Sequence, residues 1–368
     1  MGEFMSEKLV LTVGLGKAGT ELHLPNWTNA GFEVEGYDPS EAKRDSVKAG
    51  DKDITVVDSF TEAQSPSVVD ITAGSGHHLD ALESVSDAIK AGLEAPKVWL
   101  IEKPIYSLKE ERFRLEALMQ PGGILANPEQ VFVNENYNVS YAVEKAQELI
   151  EKEKTFGNPV IKVDVVFYKN RIPDVLAGRF VDPGLETFGI EMPHEIAVAY
   201  SLAGVAPNED TTIIESWINK AVHGVEHSEA TYVQVKSADG VLIRMAQGLG
   251  TFTMDAAGEM VDNEKPEIVR YADVTLADGR TIHIDFDPVA GIDRFNSQVV
   301  WIDKNSEIQT EVMPDNTIKR VFGLVALNAE TGERPRIADG LSLPNAIKLV
   351  DELHNFLDYA NKSADSAK

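Results

Sequence analysis

Three glycines, Gly14, Gly16 and Gly19, stand in the spacing G-x-G-x-x-G. An apolar run lies before them and a stretch able to open a helix lies after. That spacing serves one kind of chemistry, the holding of a pyrophosphate. Gly14 permits a tight turn, Gly16 lets the backbone approach phosphate oxygens, and Gly19 lets a helix lie close to a sheet. The helix N-terminus adds free N–H groups and partial positive charge. Leu15, Lys17 and Ala18 complete the loop. Asp38 follows 24 positions after Gly14, at the end of the next strand-like run, with Pro39 behind it. A carboxylate there accepts hydrogen bonds from both ribose hydroxyls and repels a 2′-phosphate. The expected cofactor is therefore NAD(H) rather than NADP(H), with Lys43 and Arg44 pulling the other way.

A further residue able to do chemistry is Lys103, in WLIEKPIY (99–106). Glu102-Lys103-Pro104 closes an apolar run that reads as a buried strand. In an open α/β sheet, ligands bind beyond the carboxyl ends of the strands, where a lysine can face a substrate hydroxyl. Without context the same lysine is a solvated strand end, and the glycines are a turn. Other chemistries find less support. Cysteine is absent, which removes disulfides, thiolate ligands and a thiol nucleophile. No serine stands in a nucleophile elbow. His23, His223, His227, His283 and His354 lack metal-ligand spacing and read as structural or exposed, so no catalytic metal is expected.

The elements that must position these residues can be read along the chain. Strand-like runs at 8–13, 31–39, DITVVDS, SVVDITAG and KVWLIEKP alternate with helical stretches, among them EAKRDSVKAG and HHLDALESVSDAIKAG. SLKEERFRLEALMQPGG adds a helix opened by a capping box of Ser107 and Glu110. Such alternation calls for a doubly wound parallel sheet with helices on both faces. Beyond residue 150, long alternating runs joined by Asp-Gly and Gly-containing turns read as antiparallel hairpins. They are interrupted by a helix in FGIEMPHEIAVAYSLAG and followed by a last helix after Pro344. The chain is thus α/β, with a dinucleotide-binding domain at 5–125 and an α+β domain with an open, mainly antiparallel sheet at 126–368. The last helix, 344–360, is expected to pack back on the first domain.

The net charge of −26 argues against a nucleic-acid partner. No apolar run reaches the ~20 residues that span a bilayer, so no membrane partner is expected. The opening MGEFMSEK is no secretory signal, and its first four residues read as an appended leader. A cytoplasmic location is expected.

In these motifs the chain resembles the glucose-fructose oxidoreductase / inositol dehydrogenase / MocA family. The resemblance covers nearly the whole length: G-x-G-x-x-G, then E-K-P on the fifth strand, then a mixed-sheet domain. It implies a Rossmann domain whose cofactor is also lined by Thr72, Ala73, Gly74, His78, Glu102 and Lys103. Gly74-Ser75 replace the family's usual Pro-Asn. VNENYNVSYAVEKAQELI is similar to the segment that opens the family's second domain; Glu135, Asn136 and Tyr137 match it, and Asn138 stands where arginine is frequent. Aligned through Gly204, His194 falls on the family's histidine, while Ile190 stands on its aspartate and Ala197 on a second frequent aspartate.

The implied reaction is hydride transfer between NAD(H) and a secondary alcohol or ketone of a sugar, sugar derivative or cyclitol. The resemblance makes Lys103 and His194 catalytic: Lys103 holds the substrate oxygen and His194 takes its proton. Asn136, Tyr137 and Glu191 grip substrate hydroxyls. Glu191, three residues before His194, is the expected orienting carboxylate. Both catalytic side chains are expected at one substrate oxygen. A homodimer or homotetramer through the exposed sheet face is expected too. Two other readings remain open at this point: a non-catalytic dinucleotide or sugar sensor of the same fold, and a reductase of a non-sugar ketone or imine.

Overall fold

The computed structural model describes residues 8–50, 53–176, 182–208, 211–219, 230–250, 252–254, 260–262 and 268–366. His223 and His227 lie outside them. The chain divides into two compact units. The first comprises Met1–Asn134 and Ile318–Ala346, the second Glu135–Thr317 and Ile347–Lys368.

The first unit is built on six parallel strands: β1 (Leu9–Val13), β2 (Glu33–Tyr37), β3 (Thr55–Val56), β4 (Val68–Ile71), β5 (Val98–Ile101) and β6 (Val131–Val133). Their order is β3-β2-β1-β4-β5-β6, so the sheet reverses direction of growth between β1 and β4. β1, β4, β5 and β6 are buried at every position, as continuous apolar strands covered on both faces must be. The one ionisable residue in those runs is Asp70 of β4.

The connecting helices are α1 (Leu24–Asn29), α2 (Glu41–Lys48), α3 (His78–Lys90) and α4 (Glu111–Met119). Ahead of α1, Ala18–His23 is wound as a π-turn, with the Leu24 N–H bonding the Gly19 carbonyl in i→i+5 fashion. α2 is capped by Ser40, whose Oγ accepts from Lys43 N–H. At α4 the carboxylate that reaches back belongs to Glu111 and not to Glu110, the residue expected in the capping box. Glu111 Oε2 accepts from the N–H groups of Ser107 and Leu108 at 2.8 and 2.9 Å. Glu110 is exposed, and the helix starts one residue later.

The sequence boundary near residue 125 falls short, because β6 is still a parallel strand of the first sheet. Helix α8 (Thr317–Thr331) was not anticipated, and most of it belongs to the first unit. Its Phe322 packs edge-on against Trp27 at 4.7 Å. Beyond α8, Arg334 donates to the carbonyls of Glu129 and Val131 and lies 4.1 Å from the Phe132 ring centre. The last helix, α9 (Leu343–Ser366), expected to pack back on the first domain, belongs to the first unit up to Ala346 and to the second from Ile347 onward. There Glu352 meets Tyr200 at 2.5 Å, and the Tyr359 hydroxyl donates to the Ile214 carbonyl at 2.9 Å.

The second unit opens with α5 (Tyr141–Thr155) and β7 (Val160–Tyr168), then α6 (Ile172–Leu176) and α7 (Met192–Ala203). β8 (Thr211–Asn219), β9 (Ala230–Ser237) and β10 (Leu242–Gly248) follow, then a small ribbon of β11 (Phe252–Met254) and β12 (Met260–Asp262). β13 (Val269–Leu276), β14 (Thr281–Asp285), β15 (Asn296–Ile302) and β16 (Ile308–Pro314) complete the sheet. Its eight strands run β16-β15-β14-β13-β7-β10-β9-β8, antiparallel except where β10 pairs with β7.

Alternation sorts this sheet's faces. Val163, Val165, Phe167, Ile243, Met245, Ala272 and Val274 are fully buried on the face that α7 covers. At a few kcal/mol for each buried large aliphatic side chain, this face is the main source of cohesion in the unit. The opposite face carries a row of cross-strand neighbours, Trp217, Tyr232, Ala246, Val166 and Tyr271. No helix among the described residues is long and apolar enough to cross a membrane.

Candidate functional site

Where the first sheet reverses, the loops after β1, β2 and β4 enclose a cavity of about 470 Å³. Gly14, Gly16, Asp38, Pro39, Thr72, Ala73 and Gly74 line it, as expected, together with Lys43 and His77. The three glycines meet different surroundings. Gly14 has φ +114°, and a Cβ there would lie 2.5 Å from the Ala73 backbone nitrogen. A Cβ on Gly19 would lie 2.2 Å from the Gly14 carbonyl oxygen. Gly16 has nothing within 4 Å of where its Cβ would point. Two glycines thus close the loop onto β4, and the middle one leaves space. Thr72 seals the turn, its Oγ1 donating to the Gly14 carbonyl at 2.6 Å.

A pyrophosphate fits this arrangement on the space beside Gly16. Leu15 is buried and Lys17 exposed; neither they nor Ala18 and Gly19 are cavity walls. Asp38 is buried. One of its oxygens accepts from Leu15 N–H and the other from Ser40 N–H, both at 2.9 Å, and Lys43 Nζ stands 3.5 Å away. A carboxylate has lone pairs beyond these for ribose hydroxyls. Arg44 is turned elsewhere: it donates to the Asp38 carbonyl at 2.7 Å and to Asp58 at 3.1 Å. Lys43 is therefore the cation beside the cavity.

His78 requires a correction. Its ring is buried, with Nδ1 2.8 Å from the Pro104 carbonyl and Nε2 2.8 Å from the Ala73 carbonyl. It ties the loop after β4 to the loop after β5, and its neighbour His77 faces the cavity instead. Glu102 and Lys103 follow β5 and are not cavity walls either. The Lys103–Pro104 peptide is cis. His23, read as structural or exposed, is fully buried between Asp70 and Glu102. His354 is buried rather than surface-like.

In the second unit, several expected substrate residues lie together. The Tyr137 and His194 rings are 5.1 Å apart, and Tyr137 packs edge-on against Phe167 and Phe286. His194 sits in the first turn of α7. Pro193 disturbs nothing there, since the first turn needs no intrahelical N–H. The turn is held by Gln247 of β10, a residue the sequence reading missed. Its Oε1 accepts from the N–H groups of Glu191 and Met192, both at 2.9 Å. Its Nε2 donates to the Thr187 carbonyl and to Thr231 Oγ1.

Arg270 of β13 was also missed. Half-buried, it lies against the rings of Phe167 and Tyr137 and donates to Glu191 at 3.2 Å. Glu191 thus has Arg270 as an ion-pair partner. A carboxylate that sequence spacing did not suggest, Glu135, also approaches the histidine, its Oε2 4.0 Å from His194 Nδ1. Asn136 does not join the cluster through its amide, which donates to Thr317 Oγ1 at 2.5 Å. Burial, added to by Glu191 and opposed by Arg270, pushes the Tyr137 hydroxyl up to about 12, so it keeps its proton. Burial and Glu191 likewise hold the Glu195 carboxyl well above the usual carboxylate range. The cluster can donate a hydrogen bond from Tyr137 and accept a proton at His194. No group of three or more potential metal ligands occurs among the described residues.

No protein-family model matches the chain, and no curated protein matches its sequence. Solved structures do match its fold. An oxidoreductase from Thermotoga maritima aligns with TM-score 0.70 and 17% identity, over 96% of this chain and 97% of that one. UDP-N-acetylglucosamine 3-dehydrogenase GnnA from Acidithiobacillus ferrooxidans aligns at 0.63 and 15%, over 97% of each. A variant of KijD10, a 3-ketoreductase from Actinomadura kijaniata in complex with TDP-benzene and NADP, aligns at 0.64 and 11%, over 96% and 98%. At these identities what is shared is the fold: a parallel dinucleotide-type unit followed by a mainly antiparallel one, as found in oxidoreductases.

Proposed function

We propose that this chain belongs to the glucose-fructose oxidoreductase / inositol dehydrogenase / MocA family and moves a hydride between NAD(H) and a CH–OH or ketone carbon of a sugar, sugar derivative or cyclitol. The observation that carries the reading is the cavity at the sheet reversal, where Gly16 leaves room for a pyrophosphate and Asp38 stands where a ribose would lie. The names of the structural neighbours, two of them sugar 3-dehydrogenase or 3-ketoreductase, favour the sugar class. Bound there, the nicotinamide supplies a carbon that takes or gives the hydride.

The remaining chemistry falls to side chains. Lys103, as an ammonium, holds the substrate oxygen and stabilises its developing charge. His194 takes the hydroxyl proton, as imidazole is suited to do near neutral pH. Tyr137 donates to a substrate hydroxyl, and Glu191 with Arg270 fixes the floor beneath it. Asp38 favours NAD(H), and Lys43 is the residue through which NADP(H) would be accepted. A homodimer or homotetramer remains the proposed assembly, although the expected sheet face, with Val166, Tyr232 and Ala246, is already buried within one chain; sedimentation as a monomer at micromolar concentration counts against that.

The test is fluorescence titration with NADH and NADPH, then incubation with NAD and a panel of cyclitols, hexoses, sugar phosphates and nucleotide sugars while following NADH absorbance. Lys103→Ala is expected to lower turnover by about two to four orders of magnitude with NADH binding nearly intact. Absence of dinucleotide binding overturns the reading. Binding without turnover of any substrate, or unimpaired turnover in Lys103→Ala, favours the sensor.

A further inference from the structure

A buried charge cluster in the first unit has no part in the reaction as written above. His23 lies in the π-wound turn, four residues after Gly19, fully enclosed. Its Nδ1 is 2.9 Å from Asp70 Oδ2, and its Nε2 is 2.6 Å from Glu102 Oε1. Asp70 also accepts from Trp27 Nε1–H at 2.7 Å, and Glu102 from the Asn134 amide at 2.6 Å. Phe322 of α8 closes the ring edge-on at 5.0 Å. The facing groups thus come from β4, the end of β5, α1, the end of β6 and α8. Asp70 and Glu102 are the ionisable ones acting on the ring, and Lys103 in turn acts on Glu102.

Both ring nitrogens face carboxylates; where both carboxylates are ionised they can only accept, so both nitrogens donate and the ring is an imidazolium. A neutral ring would turn a lone pair toward one carboxylate. Burial alone would lower the ring's pKa, but Asp70 and Glu102 outweigh it and lift it to about 10. Burial pushes Glu102 the opposite way, yet its bond and attraction to His23 bring it down to about 2.

We propose that His23 is a positioning residue for the Glu102–Lys103 turn, holding the strand-end lysine and the glycine-loop helix as one body. This rests on the reading of Lys103 as the group that holds the substrate oxygen. Glu102 is held through one oxygen, Oε1, by both His23 and the Asn134 amide, so the backbone that carries Lys103 has little freedom. Without the cation, the buried Asp70 and the half-buried Glu102 are two carboxylates facing an empty middle. One must then take up a proton or withdraw, and the turn loses its anchor. Misplacement of a reacting group by about 1 Å costs on the order of a hundredfold in rate.

The experiment has two arms. In the ligand-free protein, the ¹⁵N spectrum of His23 is recorded from pH 6 to 10. A ring protonated at both nitrogens at pH 8 is expected, and a neutral ring at pH 8 overturns the proposal. In the second arm, His23→Gln and the double variant His23→Gln/Asp70→Asn are compared with wild type for melting temperature, NADH affinity and steady-state kinetics. The double variant replaces ion and counterion by amides, so it remains informative if the single variant fails to fold. A folded variant is expected to bind NADH within about threefold of wild type, with kcat lower by about 30- to 100-fold and KM little changed. A folded variant with wild-type kcat overturns the proposal. Wild-type protein that neither binds NADH nor turns over any substrate refutes the proposed function instead, and the spectrum still decides the state of the cluster.

Discussion

Replacing the loop glycines by alanine one at a time should separate stability from dinucleotide binding. In Gly19→Ala the new methyl would lie 2.2 Å from the Gly14 carbonyl oxygen and 2.7 Å from Thr72 Oγ1. Neither atom can retreat without losing the 2.6 Å bond between them. Overpacking costs about 1–3 kcal/mol and the lost bond about 1 more, so roughly 2–4 kcal/mol is expected. For a unit of this size that lowers the melting temperature by roughly 5–15 °C. Gly16→Ala places its methyl in open space, with no unfavourable φ, so its melting temperature should stay within about 1 °C of wild type. Yet that methyl stands where phosphate oxygens must come, and NADH affinity should fall at least about tenfold, or 1.4 kcal/mol. Circular-dichroism melts and NADH fluorescence titration measure the two quantities. Wild-type NADH affinity in a folded Gly16→Ala protein would refute the assignment of this cavity to the pyrophosphate. A wild-type melting temperature for Gly19→Ala would refute the packing argument.

Asp38→Ala should relax the preference for NADH over NADPH, with stability falling through the lost bonds to Leu15 and Ser40 N–H; an unchanged NADH/NADPH affinity ratio removes Asp38 from ribose recognition. Gln247→Leu strips α7 of its cap and leaves buried N–H groups without an acceptor, at about 1–3 kcal/mol each; calorimetry should show a lower melting transition, and Gln247→Glu should recover part of it. His23, raised to about 10, contributes stability fully below its unfolded value of 6.5 and loses it as pH rises through 10. The gap in melting temperature between wild type and His23→Gln should therefore be wider at pH 6 than at pH 10. Glu102, lowered to about 2, contributes above its unfolded value of 4.5, and that part is lost as pH falls through 2.

The parallel unit was legible because strands buried on both faces are written as unbroken apolar runs, and β1, β4 and β5 have that form. The edge strand was over-read: of DITVVDS only Thr55 and Val56 pair with β2. Apolarity marks burial, and an edge strand is set by how far its neighbour extends. Helix α8 was missed although Val321, Phe322, Val325, Ala326 and Ala329 recur at helical spacing and are buried. Its membership of the first unit depends on partners such as Trp27, nearly 300 positions earlier. Local patterning carries no record of such a partner.

The chemical residues divide in a similar way. Arg270 and Gln247 were readable in principle, because each shares the inward parity of its strand: Arg270 with Ala272 and Val274, Gln247 with Ile243 and Met245. A lone polar residue on an apolar face must find a partner, which is itself a signal. His23 had no such mark, since i→i+5 winding sets its direction and nothing in AGTELH announces that winding. The choice between Glu191 and Glu135 as partner of His194 was beyond spacing altogether. Helical geometry makes Glu191 the natural neighbour, three residues earlier. But Arg270, half-buried, reaches the same carboxylate from β13, and a guanidinium always carries its charge, whereas a histidine can shed its proton. The arginine therefore pairs with the carboxylate nearer in sequence, and Glu135, from the segment ahead of α5, comes to 4.0 Å from the histidine. Spacing names the candidates for an ion pair; a permanent cation arriving from another strand decides which pair forms.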